Sequence, residues 1–311
     1  MLDALIQYLT RQSTRDMLAN SADMFVTLFV ELSVLFLAIS FLVALINQRL
    51  PAKKIQRLLG GKNGRGYLTA AALGAITPFC SCSTIPMLIG LLKARAGFGP
   101  TMTFLFTSPL LNPIVIALFI PVLGIKVTIA YALLALSVAI IAGIVLSSLG
   151  FERFIKQEML AVKKQGCTTN PPAVINIWHT AWHESWTLFR SMFPYMLIAM
   201  CIGAFVHGFV PTEFFASVAS ADNPLAVPSA ALIGIPLYIR VTALLPLISA
   251  FVAKGVSIGA VIALIIGSGG ASLPELILLK RLFYWPLLIA FLIVIFSMAV
   301  IGGYSFNYFI A

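Results

Sequence analysis

The chain has 311 residues, 60% of them hydrophobic and only 10% charged, with a formal net charge of +10 and a mean hydropathy of +1.04. This excludes a soluble globule and fits an all-α polytopic membrane protein with about eight hydrophobic segments. The positive charge does not point to nucleic acid, because Lys and Arg gather in short loops between apolar runs, as in cytoplasmic loops of membrane proteins.

Residues 1–20 carry Asp3, Arg11, Arg15 and Asp16 and lack a long apolar core. They read as an interfacial N-terminal helix rather than a cleavable leader. Membrane repeat 1 is expected over 21–150. Its first span is Met24 to Ile46, and Arg49, Lys53, Lys54, Arg57, Lys62 and Arg65 place the next loop in the cytoplasm. The run 67–92 contains Pro78 and Pro86, and each removes a backbone donor from a helix. Thr77 to Pro86 is therefore expected to be an unwound segment lining a cavity, with Cys80 and Cys82 side by side on an extended chain. Phe98 to Val122 follows, broken at Thr107-Ser108-Pro109-Leu110-Leu111-Asn112-Pro113, and then Ile125 to Leu149.

Residues 151–187 read as a cytoplasmic linker, with Arg153, Lys156, Lys163 and Lys164, and an interfacial helix marked by Trp178, Trp182 and Trp186 at i, i+4, i+8 spacing. Membrane repeat 2 is expected over 188–311. Residues 191–210 span, and the loop 211–227 has Glu213 and Asp222 but no Lys or Arg, so it reads as external. A broken run covers 228–252. Val256 to Leu279 is expected to be interrupted at Gly267-Ser268-Gly269-Gly270, Lys280 and Arg281 mark its cytoplasmic end, and Trp285 to Phe309 is the last span.

Parity constrains the topology. Three apolar runs lie between two basic loops, so if both loops are cytoplasmic one run must be re-entrant, and 67–92 is the best candidate. A shift of 160 residues aligns Gly74 with Gly234, Pro86 with Pro246, Gly99 with Gly259 and Ser108 with Ser268, over the same order of spans and broken runs. The two units then enter from opposite sides, which is an inverted-topology repeat with discontinuous, re-entrant helices and a midplane substrate site.

The chemistry concentrates in a few residues. Cys80-Ser81-Cys82 is either a soft-ligand pair, suited to trivalent arsenic, copper(I) or zinc, or a set of small residues packing in a broken helix. Arg240 lies 12 residues into an apolar run, where a charge costs about 2.5–3.5 kcal/mol on insertion scales. It is either an anion-binding or gating charge, or an ion pair with Glu31 or Glu275. Glu31 and Glu275 are the coupling candidates, although Glu275, five residues from Lys280, reads as a solvated helix end. Asn112 and the Gly267–Ser272 stretch offer amide, hydroxyl and carbonyl groups to a ligand or serve as kinks. The expected substrate-lining set is Cys80, Ser81, Cys82, Ser83, Asn112, Tyr238, Arg240 and Ser268. His179 and His183 sit at i, i+4, but H-E-x-x-H fails because position 187 is Thr187, so they read as a surface face without metal. No cofactor motif occurs, and without a P-loop any ATP drive needs a partner subunit.

The Thr77–Pro86 stretch, with Gly97-Phe98-Gly99-Pro100 and Thr107–Pro113, resembles the bacterial predicted-permease family YraQ, related to the organoarsenical efflux permease ArsP, over roughly residues 20–309. The resemblance implies a multi-pass permease of the bacterial inner membrane. By the arsenical branch, it implies that Cys80 and Cys82 occupy the thiol positions that bind trivalent arsenicals. The second half departs from that branch, with Tyr238-Ile239-Arg240 in place of a thiol and Gly269 where a proline is common. The expected activity is alternating-access movement of a thiophilic metalloid, an organoarsenical or a small anion. The expected partners are the lipid bilayer, that solute and a second copy of the chain, with no nucleic acid. The alternative is a membrane thiol oxidoreductase or metal-relay protein using Cys80 and Cys82.

Overall fold

The computed structural model describes residues 14–49, 59, 64–76, 81–94, 96–156, 177–209, 225–235 and 257–310. Regular structure among them is helical, with no strand and one isolated antiparallel bridge, Ile155 to Phe283. The first half contains α1 (Thr14–Arg49), α2 (Arg65–Ile76), α3 (Ser81–Lys93), α4 (Phe98–Leu110), α5 (Pro113–Leu123) and α6 (Ile125–Ser148). The second contains α7 (Ile177–Phe209), α8 (Ala226–Gly234), α9 (Ile258–Gly270), α10 (Leu273–Leu282) and α11 (Trp285–Ile310). Glycines set the limits of α6: Gly124 (φ 81°) and Gly150 (φ 70°) hold backbone conformations that side chains disfavour, so the chain reverses at each.

Phe98–Ala117, Ile125–Ser148 and Trp285–Tyr308 are each long and apolar enough to cross a bilayer, and Ile258–Gly270 with Glu275–Leu282, bent by 44°, forms either a broken fourth span or a re-entrant loop. The chain is a multi-pass membrane protein. Helices α1 and α7 pack along each other through Phe29 on Phe193 (5.7 Å between centroids), Phe36 on Phe189 (6.1 Å), and Phe41 beside Trp178 and Trp182. Both helices pass without interruption through points where a surface helix was expected to give way to a span. The three tryptophans do form one exposed stripe.

Helices α2 and α3 have 12 and 13 residues, about 18–20 Å each, short of a hydrocarbon core of about 30 Å. The chain returns after α3 to the end it left. The start of α4 lies against the start of α2, where a side chain on Gly99 would strike the Tyr67 ring, and one on Gly66 would sit 3.3 Å from Pro100 Cγ. In the second half α8 and α9 both start beside Gly303 of α11, whose missing side chain leaves room for Val227 and the Gly259 carbonyl. Gly303 is far along α11 from Phe283, and Phe283 bridges to Ile155 just beyond α6. Helices α6 and α11 therefore run antiparallel, and the two short-helix units begin at opposite ends of the bundle.

Helix bounds repeat at one spacing: α4 and α9 start at 98 and 258, α5 and α10 at 113 and 273, and α6 and α11 at 125 and 285. Close approaches repeat with them. A Cβ on Gly74 would lie 3.2 Å from the Ser108 nitrogen, and one on Gly234 3.1 Å from that of Ser268. One on Gly143 would lie 2.8 Å from the Gly99 oxygen, and one on Gly303 2.8 Å from that of Gly259.

Two expectations about the breaks are corrected. The stretch expected to be unwound through Pro86 is helical from Ser81 onward with Pro86 inside α3, so Cys82 is on a helix and not an extended chain. Residues 77–80 lie outside the described residues. Likewise α9 continues through Gly267-Ser268-Gly269-Gly270 and breaks only at Ala271–Ser272. Those glycines serve packing: a side chain on Gly267 would sit 2.6 Å from the Ala231 carbonyl oxygen, and one on Gly270 3.2 Å from Leu110 Cδ2.

Candidate functional site

The two helix breaks meet inside the bundle. The first follows from Pro109 and Pro113. Pro109 cannot donate to the carbonyl four residues back, and Pro113 suits the first position of a new helix. Between them Asn112 caps α5, its Oδ1 accepting from the Ile114 N–H at 3.0 Å. Leu110 ends α4, and its carbonyl accepts a buried hydrogen bond from the Tyr131 hydroxyl at 3.1 Å. Its side chain reaches the space left open by Gly270, the last residue of α9.

The second break is built differently. Ser272 precedes α10, with Pro274 in its first turn. Ser272-Leu273-Pro274-Glu275 has capping-box spacing. The Glu275 carboxyl lies toward the Ser272 backbone N–H, but neither carboxyl oxygen completes a hydrogen bond to any described group. Ser272 Oγ is likewise buried without a partner among the described residues. Glu275 is 0% exposed, which overturns its expectation as a solvated end. Helix α10 is not a projecting tail: it packs against α7, α3 and α11, and this places its first turn in the interior.

Polar groups from the first half join this layer. Thr84 on α3 and Ser108 on α4 share a buried hydrogen bond of 3.2 Å between their hydroxyls. Thr107 donates to the Thr103 carbonyl at 2.7 Å. Ser268 is buried and bonds to the Ile265 carbonyl at 3.3 Å. Pro86, having no N–H, cannot return the usual helical bond to the Cys82 carbonyl four residues earlier.

The sequence-derived set divides accordingly. Ser108 is expected only as part of a broken patch and of the repeat, Ser272 only as the end of the Gly267–Ser272 stretch, and Thr84 and Tyr131 carry no individual expectation. The Ser-x-x-Glu spacing at 272–275 is the signal that marks Ser272 itself. Asn112 is half-buried at the first break, and Ser268 and Glu275 lie buried at the second. Ser81, Cys82 and Ser83 form the first turn of α3, with side chains outside the described residues, as are Cys80, Tyr238 and Arg240 altogether. Glu31 stands on an exposed face of α1. His179 and His183 are exposed on α7, and the described residues contain no group of three metal-ligating side chains.

The chain is 31% identical over 106 residues to UPF0718 protein MJ0584 of Methanocaldococcus jannaschii, a stretch covering 34% of this chain and 29% of that relative. The match thus spans less than a third of the curated relative's length. No solved structure matches. Residues 17–308 match the family ArsP_1, described as predicted permease. With several membrane-crossing helices and a buried polar layer where helices break, the chain belongs to the ArsP_1 family of predicted permeases.

Proposed function

We propose that the chain is a secondary-type permease made of two inverted repeats, 21–150 and 188–311, which move a small thiophilic solute by alternating access. The observation that carries this reading is the constant 160-residue offset of helix starts and glycine contacts, combined with antiparallel α6 and α11. Equivalent elements running in opposite directions are the framework of many secondary transporters. In this reading α2 with α3, and α8 with the chain that follows it, are re-entrant units entering from opposite faces. Their ends and the two helix breaks supply backbone polar groups at mid-depth, which a membrane tolerates only around protein or a water-filled cavity.

The solute site is then the tip at 77–80 with the first turn of α3, faced by Ser108, Asn112 and Ser268 and by Tyr238 and Arg240 of the second repeat. Cys80 and Cys82 supply soft donors for a trivalent arsenical or similar solute. Glu275 is the coupling carboxyl: it is buried with no hydrogen-bond partner among the described residues, and a buried charge without a partner costs several kcal/mol, so in this reading the group carries a proton or a cation, and releasing it as access switches drives the cycle. The chain sits in the bacterial inner membrane with 49–66 and 151–172 cytoplasmic. The contact between the Arg153–Lys156 segment and Lys280–Arg281 supports this, since it brings two basic segments to one end of the bundle.

Purified protein in liposomes tests the reading against a panel of trivalent organoarsenicals and small anions. Saturable flux of a thiophilic solute, lost in Cys80→Ser and Cys82→Ser, is the expected result. Flux of an anion that survives both substitutions would move recognition to Arg240. Cysteines trapped as a mixed disulfide during turnover, with no solute flux, would sink the permease reading in favour of a thiol oxidoreductase.

A further inference from the structure

We propose that the junction of residues 151–156 with residues 280–285 binds the headgroup of an anionic glycerophospholipid. Helix α6 ends at Ser148 and α11 begins at Trp285, and both are membrane-crossing helices, so the junction lies at the bilayer surface. Two backbone hydrogen bonds pin its two segments together: Lys156 N–H to the Leu282 carbonyl at 2.8 Å, and Tyr284 N–H to the Phe154 carbonyl at 2.9 Å.

Four cations are gathered on this frame. The Arg153 guanidinium lies 4.8 Å from the Phe154 ring centroid, Lys156 Nζ 5.5 Å from that of Tyr284, and Lys280 Nζ 4.7 Å from that of Trp285. Arg281 lies 5.4 Å from the Tyr195 ring, donates to its hydroxyl at 3.4 Å, and keeps its Nε buried without a partner among the described residues. Lys156 Nζ also donates to the Lys280 carbonyl at 2.8 Å. These contacts orient the cations without neutralising them, since rings and carbonyls carry no net charge. Within the two segments the only acid is Glu152.

A surplus of fixed positive charge with exposed Tyr284 and Trp285 at the bilayer surface matches the chemistry of a lipid phosphodiester. The phosphate sits among the ammonium and guanidinium groups, and the glycerol and upper acyl chains lie on the aromatic faces. A soluble anion gains the charge contacts but not the aromatic ones.

The test uses the full chain in neutral detergent, titrated with phosphatidylglycerol, phosphatidylcholine or inorganic phosphate. Thermal unfolding and retained lipid in native mass spectrometry are the readouts. Phosphatidylglycerol should give a saturable rise in melting temperature and a retained adduct, and phosphatidylcholine and phosphate neither. In Arg153→Gln with Lys280→Gln the half-saturating concentration should rise about 30-fold, as expected for two lost juxtamembrane charges. If that variant does not purify, Lys280→Gln alone should weaken binding about fivefold, and Lys280→Arg should not. Equal effects of phosphatidylcholine, unaltered affinity in the Gln variants, or an equal response to inorganic phosphate would each overturn the proposal.

Discussion

The two helix breaks, 160 residues apart, share a backbone but not a chemistry. At the first, Asn112 closes its own cap and stays half-exposed. At the second, Ser272 makes no cap bond, and both it and Glu275 are buried. Position 115, equivalent to 275, is the buried apolar residue Val115. A helix break can thus be secured by a local hydrogen bond, or it can leave buried polar groups without a partner among the described residues. The second costs stability, and such groups persist mainly where a ligand or ion completes them. Under the proposed function the first break is a hinge and the second a site.

The largest contrast is expected from Glu275→Gln, which should abolish coupled transport in liposomes while leaving the melting temperature unchanged or higher, because the amide is neutral and never requires a charge to be buried. Glu31→Gln, on an exposed face of α1, should keep most transport. Reversal of that order would move coupling out of the second break. Cys80→Ser and Cys82→Ser should each lose most flux of a thiophilic solute, whereas Cys201→Ser, exposed on α7, should transport normally.

Stability effects come next. Gly143→Ala and Gly303→Ala should each destabilise by about 1–3 kcal/mol, as overpacking does, because the new methyl group meets backbone carbonyls of α4 and α9. Gly302→Ala meets mainly the flexible end of Ile266, 3.2 Å away, and should be nearly neutral. Equal effects of Gly143→Ala and Gly302→Ala on chemical unfolding would weaken the repeat geometry. The smallest difference separates the two caps. Asn112→Ala should cost about 1 kcal/mol, and Ser272→Ala, which removes no bond to a described residue, should stay within about 0.5 kcal/mol. If Ser272→Ala proves the more damaging, that hydroxyl is not idle in the folded chain.

Much of this was legible before any coordinates. Apolar runs longer than 20 residues announce membrane helices, because backbone polar groups in lipid must be satisfied within the segment. Pro109 and Pro113 mark the first break because proline has no N–H to give, and Ser108 and Ser268 fall in register because glycine and serine at close helix contacts leave a trace at a fixed spacing. Local chemistry, however, does not determine which of two helix-breaking signals wins. Pro86 and the Gly267–Gly270 run both looked like interruptions, and both are helical. In the glycine run, close packing on Ala231 and Leu110 accounts for residues whose intrinsic preference is to break a helix. Burial is decided the same way. The distance from Glu275 to Lys280 along the chain suggests a wet helix end, but α3, α7 and α11 close over that turn. The sequence alone determined where the chain can cross a membrane and where its helices are weak, since both follow from residues near one another. Only the tertiary structure decided that the two breaks meet at Leu110 and Gly270, and that the Glu275 carboxyl at the second break is buried, because both depend on helices from distant parts of the chain packing together.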